Sequence, residues 1–456
     1  MSVDVHSKEY QQMAHLLRRA GFGADHETIQ RYVRDGLRAA VDRLVNFNPD
    51  NDLVDDVQDS LQYDIGAKRD LNALQLWWLN RMMHSPNPLQ EKMVLFWHGH
   101  FVSAYQKVTD TSLLFRQNQL FRRMGMGNFR DLTQAVSKDP AMILYLDNQT
   151  NRKGHANENY GRELMELFTL GIGHYTEEDV RQGARAFTGW SLNRATKEFM
   201  FIPGQHDDGV KTFLGQTGNF NGNDVVDIIV QQPACAPFIC TKLFKFFIHD
   251  NPTPSDVKPF ADVMVKHNLD IKPVLSAMFT SPIFYSDKAM WQKFKSPTEF
   301  VVDSLRTTGT EIPLRAAPYS MRAMGQELFN APSVKGWDGG TTWINTTTLF
   351  ARFNYCVMLA RMNAANSTLL DTIDQTLASG SLQSDGAVVD YYAAHILHRP
   401  LSSSARAVMV DYLNTGRDGN PEPFELPQGG RVKPETRLKV HGLVHMIMLA
   451  PEFQLV

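Results

Sequence analysis

Apolar residues recur at helical spacing along most of this chain, and the breaks between the recurrences are marked by glycine, proline and capping residues. Met13, Leu16, Leu17 and Ala20 form one such stripe, and Ile29, Tyr32 and Val33 another. Gly21-Phe22-Gly23 and Asp35-Gly36 interrupt them, so residues 8–45 read as three short helices. The stretch 46–59 is acidic and poor in apolar residues, as an exposed connector would be. LNALQLWWLNRMMH at 71–84 is an apolar helix stopped by the Ser85–Pro88 turn, and LQEKMVLFWHGHF follows at once. Residues 110–136 continue the helical pattern with a break at GMGN, and Asp139-Pro140 leads into the apolar patch AMILYL.

The segment from Asn157 to Trp190 reads as two helices. On the first, Glu158, Asn159, Arg162, Glu163 and Glu166 share one side, while Tyr160, Leu164, Leu167 and Phe168 share the other. The second opens at Thr176 with Asp179 three residues on, a variant of the capping box, and buries Val180, Ala184 and Phe187. After Trp190 the period changes. Two short aromatic and β-branched runs around Asp-Asp-Gly predict a β-hairpin near 198–215. A helix capped by Asn223 follows, then three helices punctuated by proline between 235 and 284. A loop, APSVKGWDGGTTW, occupies 331–343. Polar excursions at 364–386 and 416–434 flank the last helical segments. No repeat of fixed period is present. The expected fold is mainly α: one large helical unit over 1–456 with a single small hairpin, divisible into sub-lobes at 1–220 and 221–456.

Composition alters this picture little. At 456 residues the chain can bury a large core, and 46 basic against 49 acidic residues leave a net charge of -3. That balance gives no indication of nucleic acid as a partner, so any electrostatic function is local. There is no apolar run of about 18 residues, which argues against a membrane span. The N-terminus has no apolar signal region, so the sequence as written reads as cytoplasmic. Three cysteines, Cys235, Cys240 and Cys356, are too few for a disulfide framework, although Cys235 with Cys240 is a pair to check.

Several motifs bear chemistry. His98 and His100 in FWHGHF are two apart, a spacing that lets both imidazoles meet one metal at a bent helix end but not inside a regular helix. The competing reading has them satisfying the end of that helix. Glu163 and Glu166 offer a carboxylate pair for general-base work, yet Glu158–Arg162 and Arg162–Glu166 are also i,i+4 ion pairs that would explain a solvated face. His206, Asp207 and Lys211 sit where a hairpin loop lets side chains converge. The Gly-rich loop VKGWDGGTTW, with Lys335, Trp337, Asp338 and Trp343, is suited to cradling an anion but is not a P-loop. HGLVH at 441–445 lacks the glutamate of a zinc-protease motif, and it and His395 with His398 read as structural. GxSxG, GxGxxG and kinase signatures are absent.

Taken together, HLLRRAGFGA, LFWHGHF, NENYGRELMELFTLGIGHYTEEDVRQGARAFTGW, HDDGVKTFLG, KSPTEFVVDSLR, PSVKGWDGGTTWINTTTLFARF and LAPEFQL resemble the bacterial family known as domain of unknown function 1800, over nearly the whole chain. The resemblance implies a predominantly helical protein, often exported, and often encoded beside a sulfatase-like or phosphatase-like partner. The family pattern falls on His98, His100, Asn157, Asn159, Arg162, Glu163, Glu166, Gly189, Trp190, His206, Asp207, Lys211, Lys335, Gly336 and Trp337. Phe168 stands where many relatives would carry histidine.

Two functional expectations follow. In the first, the chain is an enzyme whose divalent metal is held by His98, His100, His206 and Asp207. Glu163 and Glu166 serve as base, Arg162 holds an anionic group, and Asn159, Trp190, Lys211, Lys335 and Trp337 bind substrate in a hydrolytic or oxidative reaction. In the second, the same polar residues form a buried network in a non-catalytic assembly or partner-binding protein.

Overall fold

The computed structural model describes residues 5–47, 70–309, 316–361, 372–427 and 432–456. Beyond residue 47 the acidic connector lies outside the described residues, as do parts of the two polar excursions, 364–371 and 428–431. The fold is mainly α, as the periodicity requires. Helices Lys8–Arg19, His26–Asp35 and Leu37–Val45 open the chain, broken where expected. The first turns of the first two are held by local side chains, with Ser7 Oγ accepting from Tyr10 N and Asp25 from Thr28 N.

The helices Leu71–His84 and Pro88–His100 are buried on nearly all sides and form the centre of the molecule. A helix so enclosed must carry its polar residues inward, and each must then be matched. Glu91, fully buried, accepts from Arg122 at 2.6 Å, from Arg81 at 3.2 Å and from Trp78 Nε1 at 3.0 Å. Lys92 meets Glu299 at 2.5 Å. Glu299 belongs to the Pro297–Thr308 helix, where its other oxygen accepts from Ser296 N at 2.8 Å in a capping box. One carboxylate thus starts a helix and neutralises a lysine 207 residues away.

The second half supplies Gly222–Val230, Cys235–Phe247, Pro254–Lys266 and Ile271–Thr280, the three proline-punctuated helices among them, then Thr346–Arg361, Asp385–Leu397 and Pro434–Leu449. The cap of the first is Asn221, two residues before the expected Asn223. Cys235, Cys240 and Cys356 are buried and free. One continuous hydrophobic cluster runs from Tyr10 to Phe453.

The β structure differs in detail from the single hairpin expected near 198–215. Glu198–Phe201 pairs back with Trp190–Asn193, and Lys211–Phe213 pairs forward with Gln216–Gly218. The two runs flanking Asp-Asp-Gly therefore belong to different antiparallel pairs, because each finds a closer partner across a shorter turn. Among the described residues no helix is long and apolar enough to cross a membrane.

Candidate functional site

His98 and His100 fall within the regular helix Pro88–His100, so their i,i+2 spacing sends the rings to opposite sides. His98 Nε2 accepts the backbone N–H of Phe329 at 3.0 Å, which fixes the proton on Nδ1. Phe329 has a φ of 62°, a conformation costly for a bulky residue, and is held there by His98 on its N–H and by Tyr105 N on its carbonyl. His100 Nε2 donates to the carbonyl of Phe168 at 3.0 Å. Burial pushes both imidazoles down to about 3, aided at His100 by the charge of Lys242, so both rings are neutral.

The carbonyl that His100 meets lies in the last turn of a helix, where carbonyls have no partner within the helix. Asn159–Glu163 is α-helical and Leu164–Thr169 continues it as a π-helix. On the polar side of this segment, Arg162 grips both oxygens of Glu177 at 2.8 Å and reaches Glu158 at 3.1 Å. Glu166 accepts from Tyr175 OH at 2.7 Å. Glu163 is half-buried, and burial followed by the charge of Glu166 raises its carboxyl above the usual range. Asn159 donates its backbone N–H to Asn157 Oδ1. Trp190 is buried between Phe187 and Phe199, beneath the ammonium of Lys138.

The third predicted cluster is self-contained. Arg185 clamps Asp207 through two hydrogen bonds of 2.7 and 3.1 Å and holds its carboxyl well below the usual range. His206 Nδ1 lies 2.9 Å from the carbonyl of Thr188, and Lys211 Nζ donates to the carbonyls of Asp207 and Gly209 at 2.6 and 3.0 Å. Each residue expected to ligate a metal has a hydrogen-bond partner within the protein. Among the described residues no group of three or more His, Cys, Asp or Glu could hold a metal ion. His98 and His100 belong to one helix, and His206 and Asp207 to one loop network beside Arg185 and Thr188.

The motifs do meet elsewhere. A cleft of about 710 Å³ opens between the Cys235–Phe247 helix and the loop that carries Lys335, Trp337 and Trp343. Its lining draws on Gly99 and His100 of FWHGHF, Leu167 of the π segment, Ser296 and Glu299 of KSPTEF, and most of residues 334–343. The loop is pressed against the centre of the molecule at Gly336, where φ is 84° and a Cβ would stand 2.4 Å from the carbonyl oxygen of Gly99. Trp337 then packs beside His98, ring centres 5.7 Å apart, and Lys335 pairs with Asp338 at 2.5 Å. Two of the predicted substrate-binding residues, Lys335 and Trp337, are therefore in the cleft wall. Arg162, Asn159, Glu163, Glu166, Trp190 and Lys211 are not.

The opposite wall was missed by motif reading. Phe238, Lys242, Lys245 and Phe246 lie along one face of the Cys235–Phe247 helix. The signal was present in CAPFICTKLFKFF, an apolar helix interrupted by two lysines at i,i+3. Burial lowers Lys242, and the charges of Lys245 and Lys335, which also line the cleft, lower it further.

The family model described as "Protein of unknown function (DUF1800)" matches residues 15–455, and the chain belongs to that family. No curated protein and no solved structure matches it.

Proposed function

We propose that this member of the DUF1800 family is a small-molecule-binding protein whose site is the cleft between the Cys235–Phe247 helix and the 334–343 loop. The observation that carries this reading is convergence: segments near residues 99, 167, 296 and 337, remote in sequence, share one concave wall. Volume and lining suit a ligand of drug-like size with a flat apolar body, received by Phe96, Phe238, Phe246, Trp337 and Trp343. The remaining motifs serve as framework. His98 holds Phe329 and supports Trp337, and His100 ties the π segment to the cleft floor. The Arg162 and Arg185 networks fix the helix and hairpins behind it.

The test is a titration with phenylnaphthylamine, a neutral two-ring dye that fluoresces on entering apolar sites. Binding should weaken by about tenfold in Trp337→Ala and in Phe238→Ala, since each removes a wall of aromatic contact. Phe350→Ala, at an exposed ring that is not part of the cleft lining, is the control. Equal binding in all three variants, with circular dichroism unchanged, would refute the site.

A further inference from the structure

The polar groups of the cleft do not balance. Three carboxylates line it, and each already has a cation: Asp250 is paired with Lys293, Asp338 with Lys335, and Glu299 with the buried Lys92. Gln326, only 4% exposed, gives its Oε1 to both the backbone N–H and the hydroxyl of Thr298, at 3.0 and 2.8 Å, which leaves its NH2 as the free end. Lys242 and Lys245 have no carboxylate partner among the described residues. Lys242 is half-buried above the ring of Phe238 at 5.3 Å. The carboxylates of the cleft are thus each paired, while half-buried Lys242 and exposed Lys245 are not.

A half-buried ammonium without a counter-charge is costly to maintain, and a second one a single helical turn away raises that cost. A ligand that brings negative charge into the cleft removes it. We infer that the ligand is an organic anion: a carboxylate, sulfonate or phosphate group held by Lys242 and Lys245, joined to a ring or other apolar body that lies on Phe238 and Trp337. The inference rests on the reading of the cleft as a small-molecule site and adds the charge of its occupant. The contrary account is that Lys245, in the last turn of its helix, only complements the helix dipole, a surface effect that would alter stability slightly and ligand choice not at all.

The experiment compares two probes with one ring system. Anilinonaphthalene sulfonate carries the anion and phenylnaphthylamine lacks it. The sulfonate should bind at least about tenfold more tightly at low salt, as charge-assisted hydrogen bonds contribute about that much, and the margin should shrink as salt is added. In Lys242→Met with Lys245→Met the margin should vanish while phenylnaphthylamine affinity holds, a combination that misfolding cannot produce. Benzoate should displace the sulfonate at lower concentration than inorganic phosphate. Equal affinity for the two probes, or a margin that survives the double substitution, overturns the inference while leaving the cleft as an apolar site. Displacement by phosphate as effective as by benzoate overturns the organic part of it. Failure of both probes to bind, with Trp337→Ala silent, overturns the underlying reading and this one with it.

Discussion

Replacing Gly336 with alanine adds one methyl group at the point where the cleft loop meets the centre of the molecule. The backbone there has φ of 84°, and an L residue held in that region costs about 1–2 kcal/mol. The new Cβ would also stand 2.4 Å from the carbonyl oxygen of Gly99, about an ångström inside ordinary contact, with Val102 Cγ2 at 3.6 Å behind it. The colliding Gly99 oxygen is backbone, so no rotamer change relieves the clash. Overpacking of this kind costs about 1–3 kcal/mol. The expected loss is therefore about 2–5 kcal/mol, read from urea unfolding followed by circular dichroism. Gly154→Ala is the control, because Gly154 shares the positive φ, at 80°, but has no atom within 4 Å of its Cβ position. It should lose only the conformational part. Relief of the clash in the folded state must push residues 334–343 off the Gly99 turn, so phenylnaphthylamine binding should weaken as well. A stability loss no larger than that of Gly154→Ala, or unchanged dye binding, would show that the loop is not held to the molecule at this contact.

Removing the cation of the buried Lys92–Glu299 pair by Lys92→Met should destabilise the fold by about 3–5 kcal/mol, because a carboxylate that also caps the Pro297–Thr308 helix is left without its counter-charge; an unfolding midpoint within error of wild type would contradict this. The pair also predicts acid sensitivity. Burial alone would raise the Glu299 carboxyl, but the charge and hydrogen bond of Lys92 and the Ser296 N–H outweigh it and hold it near 2, against an ordinary 4.5. A carboxyl lowered on folding contributes stability that is fully present above about pH 4.5 and is lost as pH falls towards 2, up to about 3 kcal/mol for this group. Unfolding curves across that range should show the loss, and a flat profile would count against the pairing. His98→Ala takes the acceptor from the Phe329 N–H and leaves a hole beside Trp78, and should cost about 3 kcal/mol while also weakening dye binding through Trp337. Stability unaffected by that change would mean that His98 has a role other than framework.

The local elements were legible in the chain itself. LNALQLWWLNRMMH is the helix Leu71–His84 to the residue, and Thr176 with Asp179 forms the expected capping box. Such features depend on residues a few positions apart, and spacing is all they require. The hairpin was legible as β structure but not in its pairing, since strands as short as EFMF and KTF can join either neighbour and only the surrounding packing decides.

The partners of the polar motifs were a tertiary decision. FWHGHF has the composition of a metal site, yet whether its imidazoles meet a metal or a backbone depends on whether the helix continues through Gly99, and on what lies opposite. It does continue, and opposite lie the N–H of a strained phenylalanine 231 residues on and a carbonyl at the end of a helix 68 residues on. Nothing in the six residues of the motif specifies either. The cleft is a stronger case of the same limit. VKGWDGGTTW was recognisable as a loop suited to an anion, but no motif singled out the two lysines that line the same cleft. Helical periodicity states which face of a segment is turned inward. It does not state which distant segment that face will meet, because the pairing is set by packing the whole chain at once.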